Sequence, residues 1–109
     1  MSGELSSLGR YLGPATLILA SLAEGPQHGY SLTKDIEEFA GIYLAPGTLY
    51  AALDRLVELG LIEGLEPVGR RRPYKLTAFG ASTLKAHLEA QRTVIETGLR
   101  RLTGAWATS

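Results

Sequence analysis

The sequence contains no cysteine and only two histidines among its 109 residues. Without cysteine the chain cannot form a disulfide, a thiolate zinc site, an iron–sulfur cluster or a cysteine nucleophile. The histidines, His28 and His87, lack metal-ligand spacing and a neighbouring set of acidic ligands, so no metal site is predicted. A P-loop, a G-x-S-x-G sequence and a dinucleotide fingerprint are also missing. These absences argue against an enzyme, and we expect no cofactor.

Long hydrophobic runs are missing too. The longest, from Leu17 to Ala23, is far too short to span a bilayer. The chain does not open on a basic, apolar and small-residue signal pattern, so we expect a cytoplasmic protein with no membrane partner. What is present is the composition of an ordinary globular domain, with 45% hydrophobic and 20% charged residues.

The formal net charge of zero conceals a separation of charge along the chain. Residues 1–66 carry three basic and nine acidic side chains, a net charge of −6, whereas residues 67–109 carry eight basic and two acidic ones, a net charge of +6. Such a separation is typical of an anion-binding surface. Two solvated faces of opposite charge are the alternative, and charge alone does not decide between them.

Glycines and prolines divide the first sixty residues into three predicted helices. These helices are predicted to begin at Pro14, around residues 29–31 and at Pro46, because proline suits the first turn of a helix. The glycines that follow the apolar-periodic segments, where a left-handed residue ends a helix, are Gly25, Gly41 and Gly60.

The second and third helices each have one apolar face. The residues predicted to face inward are Leu32, Ile36 and Phe39 in the second helix, and Leu49, Leu53, Leu56 and Leu59 in the third. The outward residues of the third helix are Thr48, Tyr50, Ala51, Asp54 and Arg55. Tyr50 is the informative one, because an exposed aromatic ring offers a hydroxyl donor and a flat face. A partly buried ring that packs under the following hairpin is the alternative.

After these helices the pattern changes to that of a β-hairpin. Two short extended segments, Leu61–Glu63 and Pro73–Leu76, flank a connection that contains proline, glycine and three consecutive arginines. Because two strands alone are only marginally stable, we expect the hairpin to pack against the helices.

A long final helix is predicted from Ala78 to about Leu102, with the hydroxyl of Thr77 as its N-cap. The seam with alternating spacings of four and three, as in a short coiled coil, is Leu84, Leu88, Gln91, Ile95, Gly98 and Leu102. Val94 and Leu99 widen this seam. We therefore expect contact with a second copy of the chain, and a helix folded back on its own domain is the alternative. The predicted dimer-interface residues are Leu84, Leu88, Gln91, Ile95, Leu99 and Leu102.

Three short helices followed by a basic hairpin are the order of a winged helix-turn-helix, a mainly α fold with a small β-hairpin. In this fold the third helix enters the major groove of DNA, while the hairpin, or wing, touches the phosphate backbone or the minor groove. Gly47 and Thr48 lie in the first turn of the third helix, where unpaired backbone N–H groups favour phosphate. The predicted domains are the winged helix-turn-helix over residues 1–77 and a dimerisation helix with its tail over residues 78–109.

Three segments occur in a fixed order along the chain: HGYSLTKDI at residues 28–36, PGTLYAALDRLVELGLIE at residues 46–63, and RRRPYKLTAFG at residues 70–80. Together they resemble the PadR family of transcriptional regulators, over roughly Leu12 to Leu84. The resemblance implies a homodimeric winged-helix protein, usually a repressor that a small molecule or a stress signal releases from double-stranded DNA. A two-fold symmetric dimer is expected to prefer an inverted-repeat operator.

The resemblance also implies which residues contact DNA. Those carried over to the second helix, the third helix and the wing are Tyr30, Ser31, Gly47, Thr48, Tyr50, Arg70, Arg71 and Arg72. Lys34 and Arg55, which are basic and lie on outward helix faces, complete the predicted set. Ala45 departs from the family, where serine often caps the helix before the proline. Asp54 also departs, and it could repel phosphate, accept a hydrogen bond from a cytosine amino group, or pair with a basic neighbour.

Whether a small molecule controls this chain is left open by the sequence. The resemblance implies an apolar or aromatic effector bound between protomers, for which the last helix offers His87, Gln91 and Trp106. One alternative is a DNA-binding protein that needs no ligand. Another is a winged-helix module that binds other proteins and not DNA. The three consecutive arginines favour DNA, because interaction modules of this kind lose the basic wing.

Overall fold

The structure, a computed structural model, describes residues 13–106. The elements in chain order are α1 (Gly13–Leu22), β1 (Gln27–His28), α2 (Gly29–Ala40), α3 (Pro46–Glu58), β2 (Ile62–Gly64), β3 (Pro73–Leu76) and α4 (Ala78–Trp106). This order is that of a winged helix-turn-helix with a long C-terminal helix, as predicted. Residues 1–12 and 107–109, which belong to the predicted domains, lie outside the described residues, and the division at residue 77 stays a prediction.

The wing is the antiparallel hairpin of β2 and β3, with Ile62 opposite Leu76. Its tip is a tight turn in which Val68 and Arg71 exchange both backbone hydrogen bonds around two residues. Gly69, the first of those two, has φ 65°, and Arg70 does not have a positive φ, which is the pattern of a type II′ turn. The predicted hairpin is therefore confirmed.

A third strand, β1, completes the sheet in the order β1-β3-β2 and was not predicted. Gln27 lies opposite Tyr74 in the antiparallel pair of β1 and β3. A strand of two residues is too short to show a period of two, so the sequence carries no pattern that could reveal it. Its effect is to join the start of α2 directly to the wing.

Fourteen buried hydrophobic residues, drawn from every helix and from the sheet, form the core of the described chain. Helix α1 contacts α2, α3, α4 and β3, so it lies at the centre of the fold. The predicted inward faces of α2 and α3 are confirmed at five positions, Leu32, Ile36, Leu49, Leu53 and Leu56. Burying side chains of this size stabilises the fold by about 1.5–3 kcal/mol each.

Two predicted core residues are exposed, and both lie at helix ends. Phe39 is 52% exposed because the buried stripe of α2 continues from Ile36 to the smaller Ala40. Leu59 is 47% exposed because α3 ends one residue earlier and Gly60 then turns the chain with φ 76°. This turn places Leu61, and not Leu59, in the core.

The first turn of α4 is fixed to the rest of the fold. The backbone N–H of Gly80 donates to the hydroxyl of Thr77 at 2.9 Å, which confirms the predicted cap. That hydroxyl also donates to the carbonyl of Gly60 at 2.7 Å. Leu84 is buried in the core of its own chain, so its assignment to the interface between two copies is corrected.

Beyond Leu84 the large apolar side chains of α4 are exposed to a substantial degree. The exposed or half-exposed ones are Leu88, Val94, Ile95, Leu99, Leu102 and Trp106. The helix has 29 residues, about 43 Å at 1.5 Å per residue, and it gives the molecule its longest extent of 58 Å. None of the helices within residues 13–106 combines the length and hydrophobicity needed to cross a membrane.

Candidate nucleic-acid interface

A cleft of about 250 Å³ opens where the start of α2, the first turns of α3 and the wing meet. Seven of the residues that line it have aromatic or basic side chains, His28, Tyr30, Tyr50, Arg70, Arg71, Arg72 and Tyr74. Five of these seven, which come from separate parts of the sequence, were predicted to contact DNA. The fold therefore brings five of the ten residues predicted to contact DNA, from α2, α3 and the wing, together at one site.

Arg71 crosses from the wing to the start of α2. Its Nη1 atom lies 3.2 Å from Nε2 of His28, and its guanidinium carbon lies 5.8 Å from the centre of the Tyr30 ring. The Nζ atom of Lys34 is 5.5 Å from the same ring centre. A cation within about 6 Å of an aromatic face is attracted by the negative charge on that face. Tyr30 therefore holds two cations at the edge of the cleft.

The other two wing arginines have different surroundings. Arg72 donates from Nη1 to the carbonyl oxygen of Leu65 at 3.2 Å, which ties its side chain to the wing itself. Arg70 occupies the exposed second position of the turn and has no hydrogen-bond, ion-pair or ring partner among residues 13–106. One of the three consecutive arginines thus extends freely from the tip.

Tyr50 projects from α3 into the cleft and is 49% exposed. Its hydroxyl and ring lie against Gly29, where an added Cβ would overlap with the hydroxyl oxygen. A second cleft, of about 260 Å³, lies on the other side of the ring and is lined in part by Tyr30, Tyr43 and Pro46. Tyr50 is therefore half-exposed and packs on the start of α2, and its contact with DNA stays a prediction.

Asp54 lies close enough to the wing to act on Tyr74. Burial raises the pKa of the Tyr74 hydroxyl, and the negative charge of Asp54 raises it further, while the Arg72 guanidinium opposes both effects. Arg55 does not pair with Asp54, since its Nη1 atom lies 3.7 Å from Oε2 of Glu58 on an exposed part of α3. Arg55 is also absent from the residues that line the cleft.

The remaining predicted residues lie at the starts of α2 and α3. The hydroxyl of Ser31 is 3.1 Å from Nε2 of His28. Gly47 and Thr48 are exposed in the first turn of α3. Ala45 precedes them as an N-cap without a side-chain hydrogen bond, as its methyl group requires. Within residues 13–106, no group of three or more histidine, aspartate or glutamate side chains could hold a metal ion.

Residues 18–86 match the family model described as the transcriptional regulator PadR-like family. The chain belongs to this family. All the residues that line the cleft lie within the range that matches the PadR family model.

Relatives of known sequence and structure agree with this assignment. The chain is 46% identical over 69 residues to a 37.1 kDa protein of transposon TN4556 from Streptomyces fradiae, covering 63% of this chain and 20% of that protein. It is 36% identical over 101 residues to the transcriptional regulator YqjI of Escherichia coli, covering 88% of this chain and 49% of YqjI. A PadR family regulator from Eggerthella lenta is similar in structure, with a TM-score of 0.73, 31% identity, and coverage of 95% of this chain and 92% of that one. The chain thus spans about half the length of YqjI and a fifth of the transposon protein.

Sequence reasoning missed three residues of the two clefts, His28, Tyr43 and Tyr74, and it interpreted Tyr74 only as part of a strand. His28 was interpreted as a residue of the turn before α2, and it is the N-cap of that helix, but its contact with Arg71 depends on the pairing of β1 with β3. Tyr43 lies in the connection between α2 and α3, where no periodicity distinguishes it. Its only signal in the sequence was an aromatic residue shortly before the predicted start of the third helix.

Proposed function

We propose that the chain binds duplex DNA as a homodimeric transcriptional repressor, with α3 in the major groove and the wing on the adjacent backbone or minor groove. The observation that carries this proposal is the cleft that gathers three arginines and three tyrosines from α2, α3 and the wing. Arginine suits phosphate and guanine, because its fork of N–H donors matches their acceptors. The cytoplasm is the compartment in which such a protein acts.

The charge distribution makes the wing the main source of attraction for DNA. The first 66 residues are acidic overall and cannot hold a polyanion by charge alone. Lys75 contributes little, since its Nζ atom is 3.0 Å from Oε1 of Glu63 on the neighbouring strand. Phosphate binding therefore depends on the wing arginines and on Lys34, doubled by the symmetry of a dimer.

The outer part of α4 is the proposed surface for the second copy. Its exposed apolar side chains with the predicted spacing are Leu88, Ile95, Leu99 and Leu102. Pairing these seams would cover side chains that the described chain leaves in water. We place an apolar or aromatic effector between the protomers, beside His87 and Gln91, where its binding would alter the distance between the two recognition helices.

The proposal is tested by titrating the protein against duplex DNA from the region upstream of its own gene at several salt concentrations. Arg70→Ala is expected to weaken all sequences alike and to lower the salt slope by about 1. Tyr50→Ala and Thr48→Ala are expected to reduce discrimination between sequences by about 1–3 kcal/mol where a base contact is lost. Half-sites about one helical turn apart are expected in the preferred sequence.

The matched control is Arg101→Ala, which removes one positive charge from the exposed far part of α4. It is expected to bind DNA as the wild type does. The assignment of contacts is wrong if Arg70→Ala and Tyr50→Ala behave like this control. The function itself is wrong if the wild-type protein binds no duplex at low salt, and a protein-interaction role would then account better for the fold.

A further inference from the structure

We propose that His28 and Tyr30 are positioning residues for Arg71, so that the three consecutive wing arginines act differently on DNA. In this proposal Arg71 is held against α2 and meets a phosphate there, while Arg70 reaches beyond the wing and Arg72 shapes the wing. The proposal rests on the proposed function for its ligand, duplex DNA. The contacts that carry it are present in the chain without DNA.

Tyr30 and His28 hold the guanidinium of Arg71 from two directions. The ring of Tyr30 attracts it at 5.8 Å, and Nε2 of His28 lies 3.2 Å from its Nη1 atom. Both partners belong to the junction of β1 and α2, and β1 is paired with the wing through β3. The side chain therefore bridges two elements whose relative position the sheet already fixes. Holding a long side chain in place reduces the conformational entropy that it loses when it binds a ligand.

The contact with His28 uses one of the five N–H donors of the Arg71 guanidinium, so Arg71 can bind a phosphate while it is held against α2. Arginine only donates, so Nε2 must offer a lone pair to Arg71, and the proton of a neutral ring is then on Nδ1. The backbone N–H of Ser31 donates to Nδ1 at 3.4 Å only in the opposite tautomer. In that tautomer Nε2–H can donate to the Ser31 hydroxyl, 3.1 Å away. In that tautomer Nε2 can no longer accept from Arg71, so the tautomer of His28 reports whether Arg71 is held.

Arg70 and Arg72 lack such an arrangement. Arg72 already uses Nη1 for the carbonyl of Leu65, 3.2 Å away within the wing. Arg70 extends from the turn without a partner in the described part of the chain. Of the three successive arginines, Arg70 has no partner in the described part of the chain, Arg71 is held at the start of α2, and Arg72 is bonded within the wing. Among the three arginines, Arg71 is the one whose side chain joins the wing to the start of α2.

A double-mutant cycle on DNA affinity tests this proposal. His28→Asn is the chosen variant, because asparagine is a good N-cap for α2 but is too short to reach Arg71. We expect it to weaken DNA binding by about three- to tenfold, the cost of ordering one long side chain on binding. In an Arg71→Ala background it is expected to have no further effect. Equal effects in both backgrounds would overturn the proposal.

Two matched variants separate positioning from general damage. In an Arg70→Ala background, which removes the same charge one residue away, His28→Asn is expected to keep its full effect. Tyr30→Leu is expected to weaken binding only when Arg71 is present, whereas Tyr30→Phe keeps the aromatic face and is expected to keep the coupling. If Tyr30→Phe loses its coupling to Arg71 as fully as Tyr30→Leu does, then the aromatic ring does not position Arg71.

A measurement without DNA distinguishes the positioning contact from the proposed function. The ¹⁵N chemical shifts of the His28 ring report its tautomer, and Arg71→Ala is expected to change them while Arg70→Ala is not. If both variants leave the shifts unchanged, the contact does not position Arg71 and the proposal fails. If the shifts respond as expected but the wild type binds no duplex, the contact is real and the DNA-binding function is wrong.

Discussion

Gly29 shows how a single residue decides the position of a proposed contact. Its missing side chain leaves the space that the hydroxyl of Tyr50 occupies, at the junction of β1 and α2. A methyl group there would overlap with the far end of a half-exposed side chain and not with backbone. The ring can therefore move aside without disturbing the core. Glycine at position 29 therefore matters more for the position of Tyr50 than for the stability of the fold.

We expect Gly29→Ala to displace Tyr50 and to weaken DNA binding by about 1 kcal/mol or more, the lower end for a lost base contact. The melting temperature is expected to change little, because only the end of the Tyr50 side chain must shift. Fluorescence anisotropy with a labelled operator measures the affinity, and circular dichroism follows unfolding.

The double variant Gly29→Ala/Tyr50→Phe identifies the cause. Phenylalanine lacks the oxygen that the new methyl group would meet, so the ring can return part of the way. If Gly29→Ala binds DNA with wild-type affinity, then the position of Tyr50 over Gly29 has no bearing on binding. A large fall in melting temperature would instead show that packing at the junction of β1 and α2 contributes substantially to the stability of the fold.

At the scale of elements, the start of α4 depends on close approach to the turn between α3 and β2. Thr77 donates from its backbone to the carbonyl of Leu61 at 3.1 Å, and Gly80 lies directly over that same carbonyl. A Cβ at Gly80 would overlap with the carbonyl oxygen, and a backbone atom cannot move aside as a side chain can. The angle at which α4 leaves the domain is set by this contact.

Gly80→Ala is therefore expected to destabilise the protein by about 1–3 kcal/mol, the usual range for overpacking. Gly104→Ala is the matched control, since it makes the same change in the same helix with open space around the new methyl group. The control is expected to be as stable as the wild type or slightly more stable, because alanine favours helix. Chemical denaturation of both variants measures the difference. Equal stability of the two would mean that α4 does not pack on Leu61 in solution.

The elements that the sequence predicted well are those with a sustained period. Helix α3 begins at Pro46 as expected, and its leucines at 49, 53 and 56 are all buried. The predictions that were wrong, at Phe39 and Leu59, concern helix ends, where periodicity continues but the neighbouring elements no longer cover the side chain. Leu84 was misassigned for the converse reason, because a repeat of four and three cannot show where one helix changes partners.

The candidate site was predictable to the extent that its residues carry chemistry on their own. Three arginines in a turn and an exposed tyrosine on α3 are visible in the sequence. The contact of Arg71 with His28 was not, because it depends on a two-residue strand that pairs across the sheet. The distinct surroundings of Arg70, Arg71 and Arg72 arise from the turn geometry, which a run of three identical residues does not reveal.

At the scale of the whole molecule, the first turns of α4 contribute to stability and its outer part to the proposed assembly of two copies. Its first turns contribute Leu84 to the core, whereas the part from Leu88 onward contributes exposed apolar surface only. A substitution in the outer part is therefore expected to leave the winged domain folded. This division allows the proposed dimer to be dissociated without unfolding the DNA-binding unit.

We expect Ile95→Asp to convert a dimer into a folded monomer. Ile95 is 55% exposed in the single chain, so aspartate is tolerated there, but in a paired seam it would bury an unpaired charge. Thr93→Asp introduces the same charge on the opposite side of the helix, where it is exposed, and is expected to remain dimeric. Light scattering at micromolar concentration measures the mass, and a wild-type mass of one chain would contradict the dimer.

The same pair of variants predicts how DNA binding depends on assembly. Two linked recognition helices bind an inverted repeat with an effective concentration that a monomer lacks, a gain of about 10²–10⁴ in affinity. Ile95→Asp is expected to lose this gain on the full operator and to bind an isolated half-site as the wild type does. Thr93→Asp is expected to keep the gain on the full operator. If Ile95→Asp is monomeric yet binds the inverted repeat with full affinity, the chain reads DNA as a single winged helix and the two-fold arrangement is wrong.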